Sequence, residues 1–232
     1  MIHYHGTPIS PRSQLERMAG RHFCVSYAHP QDLKTCLRIG QSVMFDNGAY
    51  SAYTKGRELD YDGYCDWLES ILSPPHWCVI PDVIDGTIEQ QYGMLVKWPR
   101  NTLGYDNTAA VFHIGMDIKH LWFLLNAYPK VCLGSSGEYW KVGSEKWIGR
   151  MDFIFNQIMK KHRIMPWIHG LRMLGQLDGG WPFASADSTN VAQNFKRDTG
   201  NAELKAFQID SIQPSAKWRP RELQEEMFDA ND

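Results

Sequence analysis

The chain predicts a compact (β/α)₈ barrel as a single domain, with a C-terminal tail from about residue 214, and three observations carry that prediction. Seven short apolar runs stop abruptly on small, polar or acidic residues, and 2–5 adds an eighth strand. Parallel strands buried on both faces read as continuous apolar runs of this kind. Segments with helical spacing of apolar residues lie between the runs. The length of 232 residues suits eight strand–helix units, whereas a doubly wound open sheet has fewer strands and a Gly-rich first turn.

Taken in order, the strand at 2–5 is followed by a helical segment at 11–19 carrying Leu15 and Met18. Phe23-Cys24-Val25 before Ser26-Tyr27 marks a strand at 22–27, and Leu33, Cys36 and Leu37 mark a helix at 30–39. Val43-Met44-Phe45 gives a strand at 42–45 that stops on Asp46-Asn47-Gly48; Tyr64, Trp67, Leu68, Ile71 and Leu72 give a helix at 61–72. The strand at 77–81 ends before Asp82, that at 109–113 ends on His113, and that at 130–134 runs into Gly134-Ser135-Ser136-Gly137-Glu138. Helices at 87–98, 117–128 and 144–162 open on Thr87, Asp117 and Ser144, residues whose side chains cap free amides. Trp167-Ile168 before His169-Gly170 and Phe183-Ala184 before Asp187-Ser188 place the last strands at 164–169 and 182–186. The tail, with Lys217, Trp218, Arg219 and Arg221 followed by Glu222, Glu225 and Glu226, reads as a final helix closing the barrel or as a surface element. No repeat, low-complexity tract or linker divides the chain.

Composition restricts the function classes. A hydrophobic content of 43% with 22% charged residues is that of an ordinary globular protein, and a net charge of −2 provides no bulk field toward nucleic acid or an anionic membrane. Phosphate contacts then depend on local patches. The first residues lack the basic and apolar regions of a signal peptide, and no run approaches the roughly 20 apolar residues of a membrane helix, so the expected location is cytoplasmic, with no membrane partner. Five widely spaced cysteines predict free thiols without a disulfide framework.

In barrels of this type chemistry sits where the strands end, so acids and histidines at several strand ends predict one shared site. Asp46 directly follows a buried strand, and Gly48 lets a flat ligand approach the backbone, although Asp-Asn-Gly also suits an Asx-turn. Asp187-Ser188-Thr189-Asn190 suits a helix N-cap as well as a nucleophile. Asp82 is placed to accept from a heterocycle's N–H groups. Gly134, Ser135 and Ser136 form a small-residue loop for a planar base edge and lack the Lys-Ser/Thr ending of a P-loop. His113 and His169 suit hydrogen bonding or stacking and equally a structural role. His3 and His5 have no close third ligand for a metal. Lys160-Lys161-His162-Arg163 enters a strand at the opposite barrel end and reads as a solvated helix end. Lys196, Arg197, Lys217 and Arg219, with Lys55 and Arg57, are the residues placed to hold a phosphate backbone.

These segments resemble, in order from about residue 43 to 190, the tRNA-guanine transglycosylase superfamily and within it the 7-deazaguanine DNA transglycosylases of phage and bacterial DNA-modification systems. Phe45-Asp46-Asn47-Gly48-Ala49-Tyr50 is similar to the family's Asp-Ser-Gly-Gly-Phe, and Pro81-Asp82 falls at a base-reading Asp. Leu133-Gly134-Ser135-Ser136-Gly137-Glu138 is similar to Gly-Leu-Ser-Val-Gly-Glu, His169-Gly170-Leu171 to Met-Gly-Val/Leu, and Ala186-Asp187-Ser188 to the Phe-Asp-Cys/Ser nucleophile segment. The resemblance implies replacement of guanine in DNA by a 7-deazaguanine such as preQ0 through a covalent Asp–sugar intermediate, with no cofactor. Asp187 would be the nucleophile and Asp46 the general acid/base. Asn47, Gly48, Asp82, His113, Gly134, Ser135, Ser136 and Gly170 would surround the base, with Tyr50 and His169 as stacking faces. Two departures stand out: the family's Cys-x-Cys-x-x-Cys…His zinc module has no counterpart, which implies no metal, and its Gln-Gly is Ile114-Gly115. A tRNA substrate, or a barrel N-glycosidase using the same two acids with water as acceptor, are the alternatives.

Overall fold

The computed structural model describes residues 1–222. Eight parallel strands close into a barrel in sequence order: β1 (Ile2–Gly6), β2 (His22–Ser26), β3 (Ser42–Asp46), β4 (Trp77–Val79), β5 (Thr108–His113), β6 (Val131–Gly134), β7 (Ile168–Gly170) and β8 (Ser185–Ser188). Closure comes from β1 against β8, with Tyr4 opposite Asp187 and His5 opposite Ser188, so no strand edge stays open.

The first two crossovers carry α1 (Arg12–Glu16) and α2 (Leu33–Ile39). Between β3 and β4 lie α3 (Ala49–Thr54) and α4 (Tyr61–Glu69), and between β4 and β5 lie α5 (Ile88–Lys97) and α6 (Arg100–Leu103). Then come α7 (Ile118–Ala127) and α8 (Glu145–Lys161), and after β8 come α9 (Asn190–Asp198) and α10 (Ala202–Asp210). The three predicted caps form: Thr87 makes a capping box with Gln90, Asp117 accepts from the Lys119 N–H, and Ser144 accepts from the Trp147 N–H.

The last two strands and the tail depart from expectation, and α3, α6, α9 and α10 are helices beyond the predicted set. The last two strands start later than predicted because Pro166 and Pro182 cannot donate to a ladder. Trp181 and Phe183 instead pack into the helical layer, where the Trp181 indole donates to Asp152 at 2.8 Å and Phe183 meets Phe155 edge-on. The tail is irregular over 212–222, since Pro214 and Pro220 both oppose a helix. It lies along α8 as a strap, with the Trp218 indole donating to Asn156 at 2.9 Å and Arg221 paired with Asp152. Glu225 and Glu226 lie outside the described residues.

The strand period of two sorts the core into two layers. Tyr4, Cys24, Met44, Trp77, Val79, Ala109, Val111 and Cys132 point into the barrel, whereas Phe23, Val25, Val43, Phe45, Cys78, Phe112 and Leu133 meet the helices. Stepping two residues on from the inward set reaches Ser26, Asp46, His113 and Gly134. Polar side chains at the strand ends are therefore inward by parity.

Tyr64 on α4 ties the ends of β3 and β4 together, because its hydroxyl lies 3.0 Å from the Phe45 carbonyl, next to Asp46, and 2.9 Å from the Val79 carbonyl at the end of β4. Tyr64→Phe is expected to cost about 1–2 kcal/mol and lower the melting temperature by roughly 3–6 °C in scanning calorimetry; an unchanged transition would show that the bond is not used. On the outer side of β1, Asp210 at the end of α10 is bonded by His3 and His5 at 3.0 Å each and by Arg21. Burial works against it, yet these bonds and the neighbouring positive charge hold the Asp210 carboxyl well below the usual carboxylate range.

Candidate active site at the barrel mouth

The strand ends enclose a cavity of about 180 Å³ whose lining includes Asp46, Asp82, His113 and Asp187, with Tyr50 and Arg172 at its edge. Pockets for drug-sized ligands run to roughly 300–1,000 Å³, so this one is scaled to a single small ring system. Apolar wall comes from Ala49, Val79, Ile84 and Leu171.

Asp187 is held through a single oxygen. Its Oδ1 accepts from the Arg172 backbone N–H at 2.8 Å and lies 3.1 Å from His169 Nε2. Ser185, two residues earlier on the same face of β8, lies 2.7 Å from His169 Nδ1. In the tautomer whose Nε2–H donates to the carboxylate, Nδ1 accepts from the Ser185 hydroxyl. Both contacts fall on one oxygen, and Oδ2 makes no hydrogen bond among the described residues. The capping alternative belongs to the next residue, because Ser188 Oγ accepts from the Asn190 N–H at 2.9 Å. Asp187 is thus free of the helix that follows it.

Asp46 sits across the mouth at the end of β3. Burial raises its carboxyl from 3.8 to about 6, the charges of Asp187 and Asp82 add to the rise, and bonds from Ser26 and the Gly48 N–H oppose it. Gly48 can present that N–H because it adopts φ 78°, open to glycine and strained for other residues. A carboxyl that changes protonation near neutrality beside one that is locked in place is the arrangement that divides acid/base from nucleophilic work.

A chain of bonds forms the third side. Asp82 Oδ1 accepts from the Asn47 amide at 3.0 Å, Oδ2 lies 2.9 Å from His113 Nε2, and His113 Nδ1 lies 3.1 Å from Ser136 Oγ. Asn47 also donates to the Ile80 carbonyl and accepts from the Ala49 N–H. Its amide hydrogens are both committed, so it holds Asp82 and does not read a ligand. Gly134 lets the cavity wall close up: a Cβ there would lie 3.3 Å from the Val111 side chain and 3.6 Å from His113. Ser135 accepts from the Trp147 indole at 2.8 Å while still lining the cavity.

Several predicted site residues lie elsewhere. His169 is 0% exposed and boxed by Trp77, Tyr4 and Trp167, with ring centroids at 5.1, 6.0 and 6.2 Å. It has no face for a base and serves as the support of Asp187. Gly170 packs against Met173 and Phe183, and Gly48 against Ala28, so neither lines the cavity. Tyr50 does line it, half exposed, with one ring face taken by Arg172. Of the six predicted phosphate-binding residues, Arg57 borders a second recess of about 470 Å³ that shares Ala49, Asp82 and Ile84 with the cavity. Lys55 ends α3 on the exposed surface. Lys196 and Arg197 fall in the last turn of α9, about 10 Å along the helix from Thr189 at the mouth, and Arg197 is paired with Asp198. Lys217 and Arg219 flank the buried Trp218 on the strap, away from the cavity.

The sequence reading also omitted cavity residues, among them Ser26, Thr189 and Arg172. Parity along β2 singles out Ser26, two residues past inward-facing Cys24. Cys24 itself lines the cavity, but burial and the charges of Asp187 and Asp46 push its thiol well up, which excludes it as a thiolate nucleophile. All five cysteines are buried and free. Among the described residues no group of three or more His, Cys, Asp and Glu side chains is arranged to hold a metal ion, and no helix is long and apolar enough to cross a membrane.

No protein-family model, no curated protein and no solved structure matches this chain.

Proposed function

We propose that this protein is a base-exchange transglycosylase that replaces guanine in DNA with a 7-deazaguanine such as preQ0. The observation that carries this reading is the pair of unlike carboxyls in one cavity: Asp187, held through Oδ1 with Oδ2 unbonded, and Asp46, raised to about 6. In the first step Asp187 Oδ2 bonds to C1′ as the C1′–N9 bond breaks, and the departing base takes a proton from Asp46. In the second the incoming base gives its ring N–H proton to the Asp46 carboxylate and bonds to C1′, and the C1′–oxygen electron pair returns to Asp187. Proton and charge are then as at the start.

Asp82 accepts from the N–H groups of a guanine-type edge, since each of its oxygens keeps a second lone pair beside the bonds from Asn47 and His113. A cavity of this size takes one base extruded from the stack or from a single strand. The in-order resemblance of the mouth segments to 7-deazaguanine DNA transglycosylases supports the substrate class.

The test offers labelled guanine and preQ0 with DNA and with tRNA side by side, alongside a denaturing gel for covalent adducts. Exchange into DNA with an adduct is the expected result. Exchange into tRNA alone would reassign the substrate, and free guanine release without incorporation would make the protein a hydrolase.

A further inference from the structure

Among the described residues only Asp85 and Arg172 adopt positive φ without being glycine, and Arg172 does so at 59°. An L side chain there is disfavoured by roughly 1–2 kcal/mol, and such strain persists where surrounding structure over-determines it. Two contacts fix Arg172. Its backbone N–H meets Asp187 Oδ1 at 2.8 Å, and its guanidinium carbon lies 3.8 Å from the centroid of the Tyr50 ring. One residue thus orients the nucleophile and spans the mouth from the end of β7 to α3.

The guanidinium itself is unspent. Arg172 is exposed, and among the described residues its side chain makes no hydrogen bond or ion pair, although three carboxylates line the same cavity. Other arginines bordering the barrel are engaged: Arg21 by Asp210, Arg150 by the Ile114 and Met116 carbonyls, and Arg221 by Asp152. A guanidinium stacked through one flat face keeps its N–H edges available, and that planar fork fits the paired oxygens of a phosphate or a carboxylate, of which a nucleotide carries the phosphate.

We propose that Arg172 holds the phosphate ester of the nucleotide whose glycosidic carbon meets Asp187. The assignment rests on the base-exchange reading for the identity of the sugar. Its geometric basis is that C1′ and the phosphate of a nucleotide are separated by one sugar ring, and the Arg172 N–H and guanidinium are separated by one side chain. The substrate class is then a nucleotide or polynucleotide and not a free nucleoside.

Arg172→Gly suits the test because glycine adopts the left-handed backbone freely and retains the N–H to Asp187; Arg172→Gln keeps most of the stem without the charge and carries the measurement if the glycine variant fails to fold. Binding of deoxyguanosine, of deoxyguanosine 5′-monophosphate and of a single-stranded trinucleotide with central guanine is measured by calorimetry at two salt concentrations. The native protein is expected to bind one or both phosphate esters more tightly than the nucleoside. The variants should lose at least tenfold more affinity for the ester than for the nucleoside and reduce the salt slope by about one. A gain for the monophosphate identifies a terminal phosphate, and a gain for the trinucleotide alone identifies a phosphodiester. Equal losses on all three ligands, or no preference for phosphate in the native protein, would overturn the proposal. Phosphate-dependent binding without adduct or exchange would overturn the base-exchange reading alone.

Discussion

Asp187→Asn is expected to abolish both covalent capture of DNA and base exchange. The asparagine oxygen can still accept from the Arg172 N–H and from His169, which meet a single oxygen of the native side chain, so fold and cavity shape should persist. What changes is the second position, where an amide nitrogen replaces the unbonded oxygen and has no nucleophilic pair to offer. Loss should exceed the 10²- to 10⁴-fold typical of removing a proton-transfer group, and a denaturing gel should show no adduct at any time. An adduct that survives in Asp187→Asn and vanishes in Asp46→Asn would reverse the two roles. Full activity in both would reduce the acids to structural residues.

Asp46→Asn should separate catalysis from stability. Nucleic-acid binding is retained while the rate falls by roughly 10²- to 10⁴-fold, and in the native enzyme the bond-breaking step should slow about tenfold per pH unit above about 6, where the acid is lost. The same carboxyl burdens the fold. Its folded-state value of about 6 lies above the ordinary 3.8, so the native state binds the proton more tightly. The burden is absent below the lower value, grows between the two and is complete above the higher. Asparagine carries no charge at any pH. The variant should therefore gain about 1–2 kcal/mol at pH 8, discounted for contact of the carboxyl with cavity water, and no more than a few tenths, roughly, at pH 4. Chemical denaturation at the two pH values reads the difference directly, and equal stabilities at both would show that Asp46 is not held in an adverse environment.

The barrel was legible because abrupt apolar runs and caps such as Thr87 and Ser144 are local properties of the chain. Parity then carried most of the site, since Asp46, His113 and Asp187 occupy inward positions at strand ends. His169 was misread because its strand was expected to end there, whereas β7 runs to Gly170 and β8 extends to Ser188. A shift of one or two residues moves a side chain one layer down, from the cavity into the aromatic box. The helix α3 was hidden because Asp-Asn-Gly reads as a turn, and α10 because Leu204 and Phe207 on it are exposed, leaving little amphipathic pattern. Arg172 had no local signal. Its left-handed backbone follows from a contact with Asp187, fifteen residues away, and nothing in Leu171-Arg172-Met173 announces it.

The seam between β1 and β8 has a kinetic meaning. During synthesis β1 emerges well before β8 and cannot acquire that neighbour until residues 185–188 exist, and Asp210 must follow before His3, His5 and Arg21 receive their common acceptor. At ordinary elongation speeds of about 5–20 residues per second, the first strand keeps one hydrogen-bonding edge open for roughly 10–40 s. An open edge is a template for pairing with another chain, so this interval on the ribosome carries an aggregation risk that ends when β8 docks against β1.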